Sequence, residues 1–230
     1  LSDKRVIVAI DGPAGAGKST LAKRVADKLG YLFINTGAMY RAVALWALRL
    51  KVELSDMHRL EQLAIAARIE LGMGDGRVLL NGEDVTDEIR GPHISEAASQ
   101  VSAVPGVRRA LLVMQRQMAE RSSVVMEGRD IGSVVFPQAQ VKIFLDADPA
   151  ERARRRALEL SQNGRTASVD AIADELTQRD DRDRRRKDAP LVQSPDAQLV
   201  DTTGLSLEEV EEIILRLVRA RTSNGKSAAH

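Results

Sequence analysis

Val6-Ile7-Val8-Ala9-Ile10-Asp11-Gly12-Pro13-Ala14-Gly15-Ala16-Gly17-Lys18-Ser19-Thr20 joins an apolar run to a glycine-rich turn and then to the start of a helical pattern. Residues 12–19 have the form G-x-x-x-x-G-K-[ST], and a strand before with a helix after is the context that gives this motif its meaning. Glycines let backbone N–H groups turn inward around a phosphate, and the helix N-terminus adds the positive end of a dipole. Gly12, Pro13, Ala14, Gly15, Ala16, Gly17, Lys18, Ser19 and Thr20 are therefore the candidate cradle for the phosphates of ATP. Lys18 supplies a mobile charge for the β- and γ-phosphates, and the Ser19 hydroxyl is the candidate Mg²⁺ ligand. The motif points to a nucleoside triphosphate and leaves the second substrate open.

The alternation that this stretch begins continues outward. Residues 32–34, 124–126, 141–145 and 198–200 are short apolar runs like 6–10, as strands covered on both faces should be. Helical patterns at 18–29, 38–50, 107–120 and 149–160 lie between them. The expected fold is α/β, a three-layer P-loop architecture with a five-stranded parallel sheet. Ser206 and Glu209 form a capping box for a last helix, whose apolar face is Val210, Ile213, Ile214, Leu217 and Val218. The tail after Arg221 is small and polar and is expected to fray. Residues 69–88 break the rhythm: Gly72, Gly74 and Gly76 precede Asn81-Gly82, which lies between Val78-Leu79-Leu80 and Val85. Asn-Gly between apolar runs is a hairpin signal, so a small antiparallel insert is expected. The organisation expected is a single domain over 1–230. Within it lie an acceptor-binding subdomain at 36–105, with the hairpin insert at 69–90, and a lid at 155–168.

Composition narrows the class. Of 230 residues, 43% are hydrophobic, enough for a full core, and the net charge of +1 provides no global attraction to nucleic acid or membrane. The absence of cysteine excludes disulfides, thiolate metal sites and cysteine nucleophiles, and fits a reducing compartment. No apolar run approaches transmembrane length and the first residues lack a signal-peptide pattern, so a cytoplasmic location is expected.

The acceptor must be sought elsewhere in the chain. There is no Asn-Lys-x-Asp string of the kind that reads guanine. Asp146, after the 141–145 run, is either a metal-binding acid at a strand end or, with Asp148 and Pro149, part of the start of the next helix. Two basic clusters remain: Arg152, Arg154, Arg155 and Arg156, and then Arg179, Arg182, Arg184, Arg185, Arg186 and Lys187 interleaved with Asp180, Asp181 and Asp183. Part of the second reads as a solvated helix face with i,i+4 pairs Asp180–Arg184 and Asp181–Arg185. Yet the arginines flank a short polar loop, Ser161-Gln162-Asn163-Gly164-Arg165. Arginine donates bidentately to phosphoryl oxygens and keeps its charge when desolvated. A mobile loop with arginines at both stems suits a lid that closes and excludes water.

With these residues in view, the chain resembles the bacterial cytidylate kinase family over nearly its whole length. The strings that carry the resemblance are residues 11–20, Asn35-Thr36-Gly37-Ala38-Met39-Tyr40-Arg41, Ala98-Ser99-Gln100-Val101, Glu127-Gly128-Arg129-Asp130-Ile131-Gly132 and Arg179-Asp180-Asp181-Arg182-Asp183. The resemblance implies ATP- and Mg²⁺-dependent phosphorylation of CMP and dCMP. It implies that Ser99, Arg108 and Asp130 contact cytosine, that Arg41, Arg129 and Arg186 hold the acceptor phosphate, and that Arg179 and Asp183 sit near the sugar. Thr36, where some relatives have serine, keeps a hydroxyl among the acceptor-binding residues, and Ser19 adds one where some have glycine. Glu127 stands where some relatives have aspartate and is given no role.

The residues argue in the same direction. Cytosine presents an N4 amine that a carboxylate such as Asp130 accepts, whereas uracil presents an acceptor there. The plainer readings of Asp130 are a helix cap ahead of Ile131 or an ion pair with Arg129. A phosphate acceptor has its second pKa near ~6 and needs no catalytic base; His58, His93 and His230 are scattered. Catalysis is then positioning and charge neutralisation by Lys18, Arg129, Arg155, Arg179 and Arg186. The rival readings are another small acceptor, such as UMP or AMP, and a nucleic-acid-binding ATPase module using the basic clusters. The second is opposed by 3% aromatic content, since single-strand binding uses stacking platforms. A monomer without nucleic-acid or membrane partners is expected.

Overall fold

The structure, a computed structural model, describes residues 5–72, 76–162 and 168–223. Along the chain come β1 (Ile7–Asp11), α1 (Lys18–Leu29), β2 (Leu32–Asn35), α2 (Thr36–Arg49), α3 (Met57–Ala66), β3 (Ile69–Leu71), β4 (Val78–Leu80) and β5 (Glu83–Asp84). A 3₁₀ turn (Glu88–Arg90) leads to α4 (Pro92–Val101), α5 (Pro105–Met118) and β6 (Val124–Glu127). A single π turn (Ile131–Val135) then precedes β7 (Val141–Asp146), α6 (Pro149–Gln162), α7 (Val169–Arg185), β8 (Gln198–Asp201) and α8 (Leu207–Ser223).

The five apolar runs form one parallel sheet in the order β2-β6-β1-β7-β8. Its central residues, among them Val8, Ile10, Val125, Met126, Ile143 and Leu145, are fully buried, which is why the strands read as continuous apolar runs. On one face, Leu21 and Val25 of α1 and Val210, Ile214 and Val218 of α8 close the core. On the other, Ile34 and Met126 pack with Ile131 and Val135 of the π turn. Each fully buried aliphatic side chain contributes about 1.5–3 kcal/mol relative to exposure.

A second apolar core lies outside the sheet. Met39, Val43, Leu60, Leu80, Ile94 and Leu111 bring α2, α3, α4, α5 and the small sheet together. That core extends past residue 105, because Val107 and Leu111 of α5 face into it. The insert is a three-stranded antiparallel sheet in the order β3-β4-β5, with Leu80 opposite Glu83 across Asn81-Gly82. Both turn residues have positive φ, 53° and 88°, the requirement that makes Asn-Gly a hairpin signal. Gly74 of the expected glycine-rich approach lies outside the described residues, as do residues 163–167 of the expected lid and the tail beyond Ser223. Among the described residues no helix is long and apolar enough to cross a membrane.

Two local features set up the site. The sequence suggests a helix from residue 38, but α2 already begins at Thr36. Asn35 Oδ1 accepts from Ala38 N at 3.0 Å and supplies the cap. Parallel register sets Glu127 beside both Ile10 and Asn35, so the carboxyl ends of β1, β2 and β6 lie side by side. Ligands of open α/β sheets bind outside that edge. Gly12 leaves β1 at φ 147°, where a Cβ would overlap the Leu145 carbonyl of β7, so only glycine lets the loop start there.

Candidate active site

A cleft of about 530 Å³ opens over the carboxyl edge of the sheet, with the glycine-rich loop as its floor. Ala14 through Thr20 line it, while Gly12 and Pro13 do not. The Lys18 ammonium is buried and donates to the Pro13 carbonyl at 2.5 Å. Burial, reinforced by the cations of Arg129 and Arg179, pulls its pKa down to about 7. Ser19 Oγ donates to Glu127 Oε1 at 2.5 Å. Thr36 Oγ1 donates to the Glu127 carbonyl at 2.7 Å, so the β6 terminus is held from both sides.

The Gly128–Ile131 turn is held by Asp11, the last residue of β1. Its two carboxylate oxygens accept from Ile131 N and Gly132 N, each at 2.8 Å. Burial outweighs these two bonds and raises the Asp11 pKa to about 6. From this turn Asp130 reaches α5, where Arg108 Nη2 donates to its Oδ2 at 2.5 Å. Arg108 also donates to the Ser102 carbonyl at 3.3 Å and lies over the Tyr40 ring, 5.6 Å from its centroid. Asp130 is thus neither a side-chain cap for the π turn nor the partner of Arg129. Arg129 instead donates through Nε to Asp183 Oδ2 at 2.9 Å. The Arg186 guanidinium lies 3.5 Å from the other oxygen of Asp183.

Charge in the cleft is unbalanced. Nε of Arg41, Nε of Arg179, and Nε and Nη2 of Arg186 are buried without a hydrogen-bond partner among the described residues. Burial holds the Arg41 and Arg186 guanidiniums below their ordinary pKa. Burial and the neighbouring Arg129 bring Arg179 down to about 10. Buried donors without acceptors are costly, and this cluster is built to receive an anion. Ser99 is buried beside the cleft, with its Oγ also unpartnered, while Ser95 and Ser102 of the same segment line the wall.

The remaining basic residues divide. Arg155 is turned to the end of β8, donating to Thr202 Oγ1 at 2.8 Å, to Thr202 O at 2.6 Å and to Glu151 at 2.8 Å. Arg154 and Arg156 pair with Glu151 and Glu159 on α6. The Asp181–Arg185 pair is present at 3.6 Å on the surface. Asp180 faces inward to Arg152 instead of toward Arg184, because this face of α7 packs on the glycine-rich loop. Asp148 accepts from Ala150 N at 2.8 Å at the start of α6. Asp146 accepts from Ala147 N at 2.9 Å and does not line the cleft.

Two carboxylates were overlooked in the sequence. Glu127 ends a strand next to β1, the position for which Asp146 was considered, and it is Glu127 that meets the Ser19 hydroxyl. Asp11 closes the apolar run of β1 and is buried, and a buried carboxylate requires partners.

The profile of the cytidylate kinase family matches residues 8–220. The chain is 60% identical to the cytidylate kinase of Solibacter usitatus over 225 residues, 97% of this chain and 96% of the relative. It is 50% identical to that of Symbiobacterium thermophilum, over 94% of this chain and 97% of the relative. Among solved structures, a gluconokinase from Sinorhizobium meliloti aligns with TM-score 0.51 at 14% identity over 98% of each chain, a likeness of fold alone. An agreement of this depth, running through the glycine-rich loop and the arginine-lined wall, makes the chain a member of the cytidylate kinase family.

Proposed function

We propose that this protein transfers the γ-phosphoryl group of ATP to CMP and dCMP, giving ADP with CDP or dCDP. The observation that carries this reading is the Arg108–Asp130 pair, buried in the same cleft as the glycine-rich loop and next to arginines with unmatched donors. Asp130 can accept from the cytosine N4 amine while Arg108 donates to an acceptor on the same edge of the base. Uracil offers an acceptor where Asp130 needs a donor.

In this reading the loop amides from Gly15 to Thr20, together with Lys18, hold the triphosphate, the Ala14 amide being taken by Asp180. Arg41, Arg129 and Arg186 take the acceptor phosphate, with Ser99 behind the base and Arg179 and Asp183 toward the sugar. Thr36 keeps the β6 terminus in place. The acceptor oxygen is already ionised at neutral pH, so no base is needed. What the chain contributes is alignment of two phosphates and cations that meet the charge developing in transfer. Lys18, Arg129, Arg179 and Arg186 stand in the cleft for that role. Arg155 lines the same cleft, where its guanidinium is bonded to Thr202 and Glu151.

Mg²⁺ use is typical of the family, and the donors present fit it. Ser19 Oγ and the Glu127 carboxylate are two hard oxygen donors side by side at the loop. Among the described residues no cluster of three or more acids and histidines forms a cage, which suits an ion that takes its other ligands from nucleotide and water. When bound, the ion neutralises phosphate charge. The proposal is tested by coupled ADP release with ATP and Mg²⁺, comparing CMP, dCMP, UMP, AMP and no acceptor. CMP-dependent turnover is expected. Equal turnover without acceptor would replace the kinase reading with an ATPase.

A further inference from the structure

Asp180 lies on α7 between two residues of the cleft, Arg179 and Asp183, yet faces away from it. Its Oδ1 accepts from Ala14 N at 3.0 Å and its Oδ2 accepts from Arg152 Nη1 at 2.5 Å. The same Arg152 nitrogen donates to the Ala14 carbonyl at 2.9 Å, and Arg152 Nε donates to Ala147 O at 3.1 Å. Both side chains are buried, Asp180 at 1% exposure and Arg152 at 6%. One peptide residue of the glycine-rich loop is therefore gripped at its N–H and its C=O by an ion pair that spans α6 and α7. The Ala14 amide is committed to Asp180 and not to the cleft.

Adhesion alone does not require this arrangement. Ala14, Ala153, Ile172 and Leu176 already form an apolar contact between the loop and both helices. Burying a charge pair brings a desolvation penalty that apolar residues of similar volume avoid. What the ion pair adds is direction: bonds to both polar atoms of Ala14 set the height and rotation of α7 against the loop. Phosphoryl transfer is sensitive to that register, since misplacement by about 1 Å can lower the rate on the order of 100-fold.

We infer that Asp180 and Arg152 are positioning residues that hold Arg179, on the neighbouring position of α7, in register with the triphosphate loop. The inference rests on the phosphotransfer reading of the cleft. Asp180→Asn keeps the shape and one acceptor for Ala14 N but loses the charge; kcat is expected to fall by about 10- to 100-fold, with KM for ATP and for the acceptor changing by less than about threefold. The double variant Asp180→Leu with Arg152→Met replaces the ion pair by apolar volume; its melting temperature is expected to match or exceed the wild type while kcat stays low. Glu211→Gln, which disturbs another buried carboxylate, paired with Arg24 and Lys28, none of the three lining the cleft, serves as the control: a lower melting temperature with unchanged kcat. A double variant with wild-type stability and kcat within about twofold of wild type would overturn the inference. All ratios are taken with whichever acceptor gives turnover in the wild type, so an error about CMP would show in the acceptor comparison and leave this test standing.

Discussion

Asp130→Asn tests the proposed base reader with little change of shape. Asp130 and Arg108 are 6% and 9% exposed, so water does not replace what the substitution removes. The asparagine carbonyl can stay on Arg108, where Oδ2 now sits at 2.5 Å, and its amide nitrogen then turns toward the base. An acceptor for the cytosine N4 amine becomes a donor, the group that uracil O4 accepts. Replacing a charge-assisted bond by a mismatch costs CMP about 1–2 kcal/mol, and relieving the repulsion returns about 1 kcal/mol to UMP. The ratio of kcat/KM for CMP over UMP should therefore shrink by about 30- to 150-fold, since about 1.4 kcal/mol is a factor of ten. KM for ATP should move by less than about twofold, because this pair is bonded to itself, to Ser102 and over Tyr40, and not to the glycine-rich loop. The assay is initial-rate ADP release at saturating ATP with each pyrimidine monophosphate in turn. A ratio within about threefold of wild type would mean that the base is read elsewhere, and the Arg108–Asp130 assignment would be withdrawn.

Lys18→Met should abolish turnover yet raise the melting temperature of the nucleotide-free protein, and raise it more at pH 6 than at pH 9. The folded pKa is about 7 against an ordinary 10.5, so the unfolded chain binds more protons between those values. Lys18 therefore costs stability that is regained as pH rises through that window, and is charged in the buried site below it. Thermal melts at the two pH values check this; a variant less stable at both would refute the buried-cation account. Nucleotide binding should bring proton uptake near pH 8, because phosphate restores the charged form. Calorimetry in buffers of different ionisation enthalpy reads it, and zero uptake would count against it. Glu127→Gln should raise the Mg²⁺ concentration needed for half-maximal rate by about tenfold, with a smaller effect on KM for CMP. An unchanged Mg²⁺ titration would leave Ser19 without this carboxylate as a partner in metal binding.

The central strands were legible because they are buried on both faces, and apolar continuity is all that such a position asks of a sequence. The hairpin was legible for a different reason: two positive φ values in succession are met by few residue pairs, Asn-Gly foremost among them. Helix α7 was harder. Its charges look like one solvated face, yet Asp180 and Asp183 are buried while Arg185 and Asp181 are on the surface. Helical spacing places residues on faces but does not say which face meets the glycine-rich loop, and the i,i+4 pairing of Asp180 with Arg184 failed on that point. Asp130 failed similarly in its plainer readings, since Arg108 reaches it from 22 positions away and no local rule could find that partner.

Glu127 and Asp11 show where local reading stops. Each is an acid at the end of a central strand, and a strand end gives no periodic signal. Parallel register, which only the assembled sheet reveals, sets Glu127 between Ile10 and Asn35 and within reach of Ser19. The donor side and the acceptor side of the cleft are joined through these two carboxylates: Glu127 is bonded to the triphosphate loop, and Asp11 holds the turn that carries Arg129 and Asp130. Arg41, Arg179 and Arg186, whose buried donors are unmatched, line the same cleft. A cleft that holds buried donors without acceptors is less stable empty than filled, and the difference is available to orient two phosphates. The folding energy must then come from elsewhere, which accounts for two large apolar cores flanking a site that is itself a burden on the fold.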